Sequence, residues 1–171
     1  LEQFEDNPFL PKFYKSPEKY AFPLELSFLA SRYQQLQKEL GAPDLFSDFT
    51  IADYFIDKSY IFARQTIKGD ELNLYSRLFY IISSNLPRPD LLVFLYLDIP
   101  HLKDNIAMRG RSYEQNIQCS YLEAIQSGYF DYFKQISEIP ILIIDTNDMD
   151  FVKKESDYEY LLDIIFQEHS P

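Results

Sequence analysis

Three stretches of this chain carry apolar residues with almost no polar alternation: FTIADYF (49–55), DLLVFLYLD (90–98) and IPILIIDT (139–146). A strand with one wet face alternates apolar and polar side chains, whereas a strand buried on both faces does not. Double burial belongs to parallel sheets, and parallel strands need long crossovers that are commonly helical. The intervals here supply such helices. Between Pro17 and Gly41, apolar residues fall at Phe22, Leu26, Leu29, Tyr33, Leu36 and Leu40, a spacing of three or four that ends at a glycine. Helical patterns also occupy KSYIFARQTI...LYSRLFYIISSNL, IPHLKDNIAMRGR, QCSYLEAIQSGYFDYFKQI and SDYEYLLDIIFQEH, while GAPDLFSD and NLPRPD read as loops. The predicted fold class is α/β, an open parallel sheet with flanking helices.

At 171 residues and 46% hydrophobic content the chain predicts one domain, 1–171, with its own core. A net charge of −11 excludes non-specific binding to nucleic acid polymers or to an anionic membrane surface, both of which need a broad positive field. No apolar run approaches the roughly 20 residues that span a bilayer. One cysteine, Cys119, and two histidines, His101 and His169, provide neither an internal disulfide nor zinc spacing, so a reducing cytoplasm is expected.

In an open parallel sheet, ligands bind outside the carboxyl ends of the strands. That places Asp53, Asp98 and Asp145 at candidate positions, although aspartate also favours helix caps and turns. Asp98, two residues before Pro100, fits a cap best. Asp53 stands in ADYFIDKS, where two acids and a lysine gather and could serve a magnesium ion or a phosphate. A second candidate is AMRGRSYEQN (107–116). Arg109 and Arg111 would point to different sides of a regular helix, and Gly110 between them could let both guanidinia converge. Convergent arginines suit phosphate oxygens, and a solvated surface pair explains the spacing equally well.

EQFEDNPFL, YKSPEKYAFPLELSFLASR, RGRSYEQN and DTNDMDF, in this order and spacing, resemble the deoxynucleoside kinases from about Leu1 to about Phe151. The resemblance implies a P-loop kinase fold, often homodimeric, that moves the γ-phosphoryl of ATP to the 5′-hydroxyl of a deoxynucleoside with Mg²⁺. It implies that Glu2 accepts the hydroxyl proton and that Arg109 and Arg111 are lid arginines over the transferring phosphoryl. By the same resemblance Tyr14 and Glu114 hold the sugar 3′-hydroxyl, Glu25 and Arg32 face the base, Phe62 stacks on it, and Asp150 and Phe151 lie on the adenine side of ATP; the candidate metal ligand is Asp53, from its place in ADYFIDKS.

The chain departs from the family pattern in two places. It holds no G-x-x-x-x-G-K-[ST], and its four glycines build no substitute cradle, so these residues are expected to follow a first strand and P-loop and to bind nucleoside without turnover on their own. Some bacterial members look like fusions behind a hydroxymethyldihydropteridine pyrophosphokinase, and the same origin would suit this chain. The acid-arginine pair after the middle strand is here Asp53-Tyr54, with Lys58 as the nearest replacement cation. A thymidylate-kinase-like nucleotide kinase and a non-catalytic nucleotide-binding or dimerisation module are the alternatives. Glu25 stands where members commonly carry glutamine. Ionised, it offers acceptors only and would match guanine, with adenine second; a salt bridge to Arg32 and a buried, protonated Glu25 that behaves like glutamine are the competing states.

Overall fold

A computed structural model describes residues 7–40 and 48–167, which form parts of two compact units, Leu1–Arg88 and Pro89–Pro171. The first unit is helical: α1 (Leu10–Lys15), α2 (Pro17–Leu40), α3 (Asp57–Thr66) and α4 (Gly69–Ser83). Helix α2 packs against the other three. Its buried positions are Ala21, Leu24, Glu25, Leu29, Arg32 and Leu36. The expected stripe of Phe22, Leu26, Leu29, Tyr33, Leu36 and Leu40 is therefore rotated by about one residue, and of these only Leu29 and Leu36 are fully buried. The rotation places a carboxylate and a guanidinium inside the packed face, which apolar periodicity alone would not select. Leu29, Ile61, Ile67 and Tyr75 are essentially inaccessible around them, each buried aliphatic side chain contributing about 1.5–3 kcal/mol. Pro23 lies within α2, which lacks one backbone donor there.

The single helical stretch expected before residue 85 is two helices, because the chain is extended at Ile67 and Lys68 and turns through Gly69 at φ +60°. The expected strand FTIADYF does not form. Residues 49–55 carry no strand pairing, and Phe49 and Ile51 are largely exposed. A β-branched, aromatic run becomes a strand only where a neighbouring ladder takes its backbone groups, and no such ladder is present here among the described residues.

The second unit runs β1 (Leu92–Tyr96), α5 (Ile99–Arg109), α6 (Cys119–Phe133), β2 (Ile141–Asp145) and α7 (Glu155–Ile165). The two strands pair in parallel with Leu92 opposite Ile141 and Tyr96 opposite Asp145, as expected of strands separated by helical crossovers. Phe94 anchors α6 on the sheet, its ring 5.1 Å from both Tyr129 and Phe133 and 5.9 Å from Phe130. The strand ends are stitched together: Thr146 donates through its backbone and its hydroxyl to the Tyr96 carbonyl, and the Asp98 N–H donates to Asn147 Oδ1.

Helix α5 shows how local sequence fixes a boundary. Asp98 caps its start by accepting from the His101 N–H at 3.0 Å, with Pro100 in the first turn where a missing donor costs nothing. The helix stops at Gly110, which is left-handed at φ +72°. A side chain there is strained whatever the space around it. Gly110→Ala should lower unfolding free energy by about 1 kcal/mol, measured as a shift in the urea midpoint at unchanged m-value.

Candidate functional site

Two groups of candidate residues are assembled, one in each unit. In the first unit Glu25 is buried on α2 with its Oε1 accepting from the Thr66 hydroxyl of α3 at 3.0 Å. Its Oε2 is shielded from solvent and has no hydrogen-bond partner among the described residues. Two turns along α2, Arg32 is also buried; its Nη1 donates to Ser59 Oγ at 2.6 Å and its guanidinium lies 5.1 Å from the Phe28 ring. Tyr75 of α4 completes the cluster by donating to the Ser59 carbonyl at 3.1 Å. Phe62, half-buried, lies one turn before Thr66 on α3, and its carbonyl is a second acceptor 3.0 Å from the Thr66 hydroxyl.

Burial pushes the Glu25 carboxyl up to about 7, against the opposing pull of the Thr66 hydrogen bond and the Arg32 charge. Burial likewise pushes the Tyr75 phenol up, with the Glu25 charge adding to it. Of the states the sequence left open for Glu25, the buried and readily protonated one therefore competes with the anion near neutrality.

Tyr14 lies half-buried on α1, its ring edge-on to Phe13 at 5.5 Å. Glu2 lies outside the described residues. The described end of its motif is tied to α2, since Asn7 Nδ2 donates to Ser27 Oγ at 3.1 Å and Asn7 Oδ1 accepts from the Phe9 N–H. Asp53 is exposed within the non-strand segment, and Lys58 is half-buried in the first turn of α3. No group of three or more histidine, cysteine, aspartate or glutamate side chains is poised for a metal among the described residues. Magnesium is commonly held through one or two carboxylates and keeps waters and substrate phosphates in its shell.

In the second unit Gly110 does bring the arginines together, and the group they meet is Glu114. Arg109 Nη2 lies 2.6 Å from Glu114 Oε2, and Arg111 Nη1 lies 3.4 Å from Oε1. Glu114 is buried, Arg109 about half exposed and Arg111 less so, a gradient that leaves cationic surface outward over an internal acid. The turn is held by the Glu114 N–H on the Arg111 carbonyl and by Lys103 Nζ on the Ile117 carbonyl at 2.8 Å. Asp150 is a turn cap: its carboxylate accepts from the backbone and side chain of Lys153, and its own N–H donates to Asp157 at 2.8 Å. Phe151 follows it, half-buried. Asp145 closes an Asx-type turn on Asn147.

The sequence missed Ser59, Thr66 and Tyr75. Each is an ordinary residue whose partner comes from another helix, so no local pattern marks it.

A parallel strand pair joined through helices is the architecture of an α/β fold with an open parallel sheet. The profile of the deoxynucleoside kinase family matches residues 1–169, and the chain belongs to that family. It is 36% identical over 168 residues to deoxyguanosine kinase of Bacillus subtilis (strain 168), an overlap of 92% of this chain and 78% of that one. It is 28% identical over 173 residues to the deoxyadenosine/deoxycytidine kinase of the same organism, covering 96% and 78%. In three dimensions it superposes on deoxyadenosine kinase from M. mycoides, solved with bound dATP, at a TM-score of 0.80 and 22% identity, covering 98% of this chain and 85% of that chain.

The Glu25 environment makes stability depend on pH. An acid whose folded pKa is raised binds more protons folded than unfolded, so its contribution is complete below the unfolded value of 4.5 and is lost as pH rises through about 7. Stability should fall over this window by an amount on the order of 3 kcal/mol from this group. Glu25→Gln should remove that component, which thermal melts at pH values either side of the window will read as a flatter profile.

Proposed function

We propose that this chain phosphorylates the 5′-hydroxyl of a deoxynucleoside with the γ-phosphoryl of ATP, with purines favoured. The observation that carries the reading is the buried Glu25–Arg32 pair, a carboxylate with an unsatisfied oxygen and a guanidinium held by Ser59 on one helix face. Such a pair matches the donors and acceptors on a base edge, and a protein interior leaves polar atoms unpaired chiefly where a ligand or water completes them. Phe62 stacks on the base, and Tyr14 with Glu114 holds the sugar 3′-hydroxyl. Glu2 takes the 5′-hydroxyl proton. Arg109 and Arg111 stabilise charge on the transferring phosphoryl, Asp150 and Phe151 line the adenine side of ATP, and Asp53 holds Mg²⁺, which would neutralise phosphate charge.

The setting is the cytoplasm and the working form a homodimer. Leu74, Tyr80 and Ile81 of α4 offer exposed apolar surface for such pairing, and light scattering at micromolar concentration tests it.

Binding and turnover are read separately, since residues 1–171 contain no G-x-x-x-x-G-K-[ST]. Calorimetry on this chain should show binding of deoxyguanosine and deoxyadenosine above deoxycytidine and thymidine. In a polypeptide that supplies the phosphate loop, Glu2→Gln should lower kcat by roughly 10² to 10⁴ with little change in nucleoside affinity. Arg109→Ala and Arg111→Ala should also act mainly on kcat, because their contacts strengthen in the transition state. Near wild-type turnover for Glu2→Gln would overturn the base assignment, and exclusive binding of a pyrimidine would overturn the purine reading.

A further inference from the structure

The Glu25 carboxyl has an asymmetry that its role in base binding does not require. Oε1 is engaged by Thr66, while Oε2 is buried with no hydrogen-bond partner among the described residues. A buried anionic oxygen without a donor is costly, and two things can relieve it: a proton, or an N–H of a ligand. Both occupy the same lone pair. Resting on the deoxynucleoside reading above, we propose that a single proton on Glu25 selects between the purine bases, deoxyguanosine binding the ionised carboxylate and deoxyadenosine the neutral acid.

The chemistry of the base edges gives the sign. Guanine presents N1–H and N2–H₂ side by side, two donors that need two acceptors, which the ionised carboxylate supplies. Adenine presents an N6–H donor beside the N1 acceptor, which needs one acceptor and one donor, and the neutral acid supplies both. Oε2 is covered in this structure, so the base that takes it replaces the side chains that now shield it. Burial holds the carboxyl at about 7, which puts both forms within reach in the neutral range.

The charged or titratable groups that act on this carboxyl are Arg32 of α2 and Tyr75 of α4; α3 presents the Ser59 and Thr66 hydroxyls, and Lys12 and Lys15 of α1 are exposed. Tyr75 is pushed further from titration by burial and stays neutral through the window, and guanidinium groups are not deprotonated in proteins. Glu25 is then the group in this cluster whose charge changes.

The test is the ratio of dissociation constants for deoxyadenosine and deoxyguanosine, measured by calorimetry on the chain from about pH 6 to about pH 8. Neither base titrates in that window. With the carboxyl at about 7, the ionised fraction rises roughly tenfold and the neutral fraction falls roughly tenfold, so preference for deoxyguanosine should rise by up to about 100-fold. Glu25→Gln, which keeps one donor and one acceptor at every pH, should bind deoxyadenosine preferentially with a flat ratio. A wild-type ratio that stays constant while both nucleosides bind would overturn the inference alone, and this series decides the matter without any variant. Failure of either purine nucleoside to bind at any pH would overturn the functional reading and the inference with it.

Discussion

Burial of two opposite charges on one face of α2 is the constraint that orders the helical unit. A carboxylate and a guanidinium taken out of water each need partners, because desolvation costs several kcal/mol per ion when left uncompensated. Arg32 obtains Ser59 from α3, whose carbonyl in turn holds Tyr75 of α4, while Glu25 obtains Thr66 at the far end of α3. Helix α3 is thereby cross-linked to α2 and to α4 through polar contacts, and Leu24, Leu29, Ile61 and Phe79 are buried in the same helical unit. The polar contacts fix where α3 sits along α2; the apolar ones supply the greater part of the driving force. Glu25 Oε2, buried with no hydrogen-bond partner among the described residues, is where this cluster leaves an acceptor uncompensated.

In the α/β unit the corresponding constraint lies at the carboxyl ends of the strands. Thr146 and Asn147 close β2 against β1, and Asp98 starts α5 from the same edge. The His101 N–H, donating to Asp98, holds the Asp98 carboxyl below the usual range, and the contact of the imidazole with that carboxylate raises the His101 imidazole, so the cap is strongest when both are charged. At the other end of α5 the chain reverses through Gly110, and the arginines on either side face one acid.

Much of this was legible in the sequence where the physics is local. Asp98 became a cap and Gly110 a helix stop because each depends on a few neighbouring residues, and the unalternated runs 92–96 and 141–145 became parallel strands because each supplies the other's ladder. The convergence of Arg109 and Arg111 followed from the glycine, although that it occurs on Glu114 did not. What failed was tertiary in origin. Residues 49–55 have strand composition without a ladder. The buried face of α2 could not be read from apolar spacing because Glu25 and Arg32 stand in it as charged residues, and the partners that make their burial tolerable are supplied some 27 to 41 positions along the chain. Resemblance to the family reached Glu25 and Arg32 where periodicity did not, but it was silent on Ser59, Thr66 and Tyr75.

The Thr66 hydroxyl has a single hydrogen and two oxygens at equal reach, Glu25 Oε1 and the Phe62 carbonyl, each at 3.0 Å. It can point fully at only one of them at a time. When the carboxyl carries charge, the rotor turns toward it, and the helix carbonyl one turn back loses its extra donor. When the charge is discharged, the acid competes less strongly and the hydroxyl is free to swing to the backbone. A change of one charge on α2 is thus passed, through a rotation about one C–O bond, to the backbone of the aromatic residue on α3.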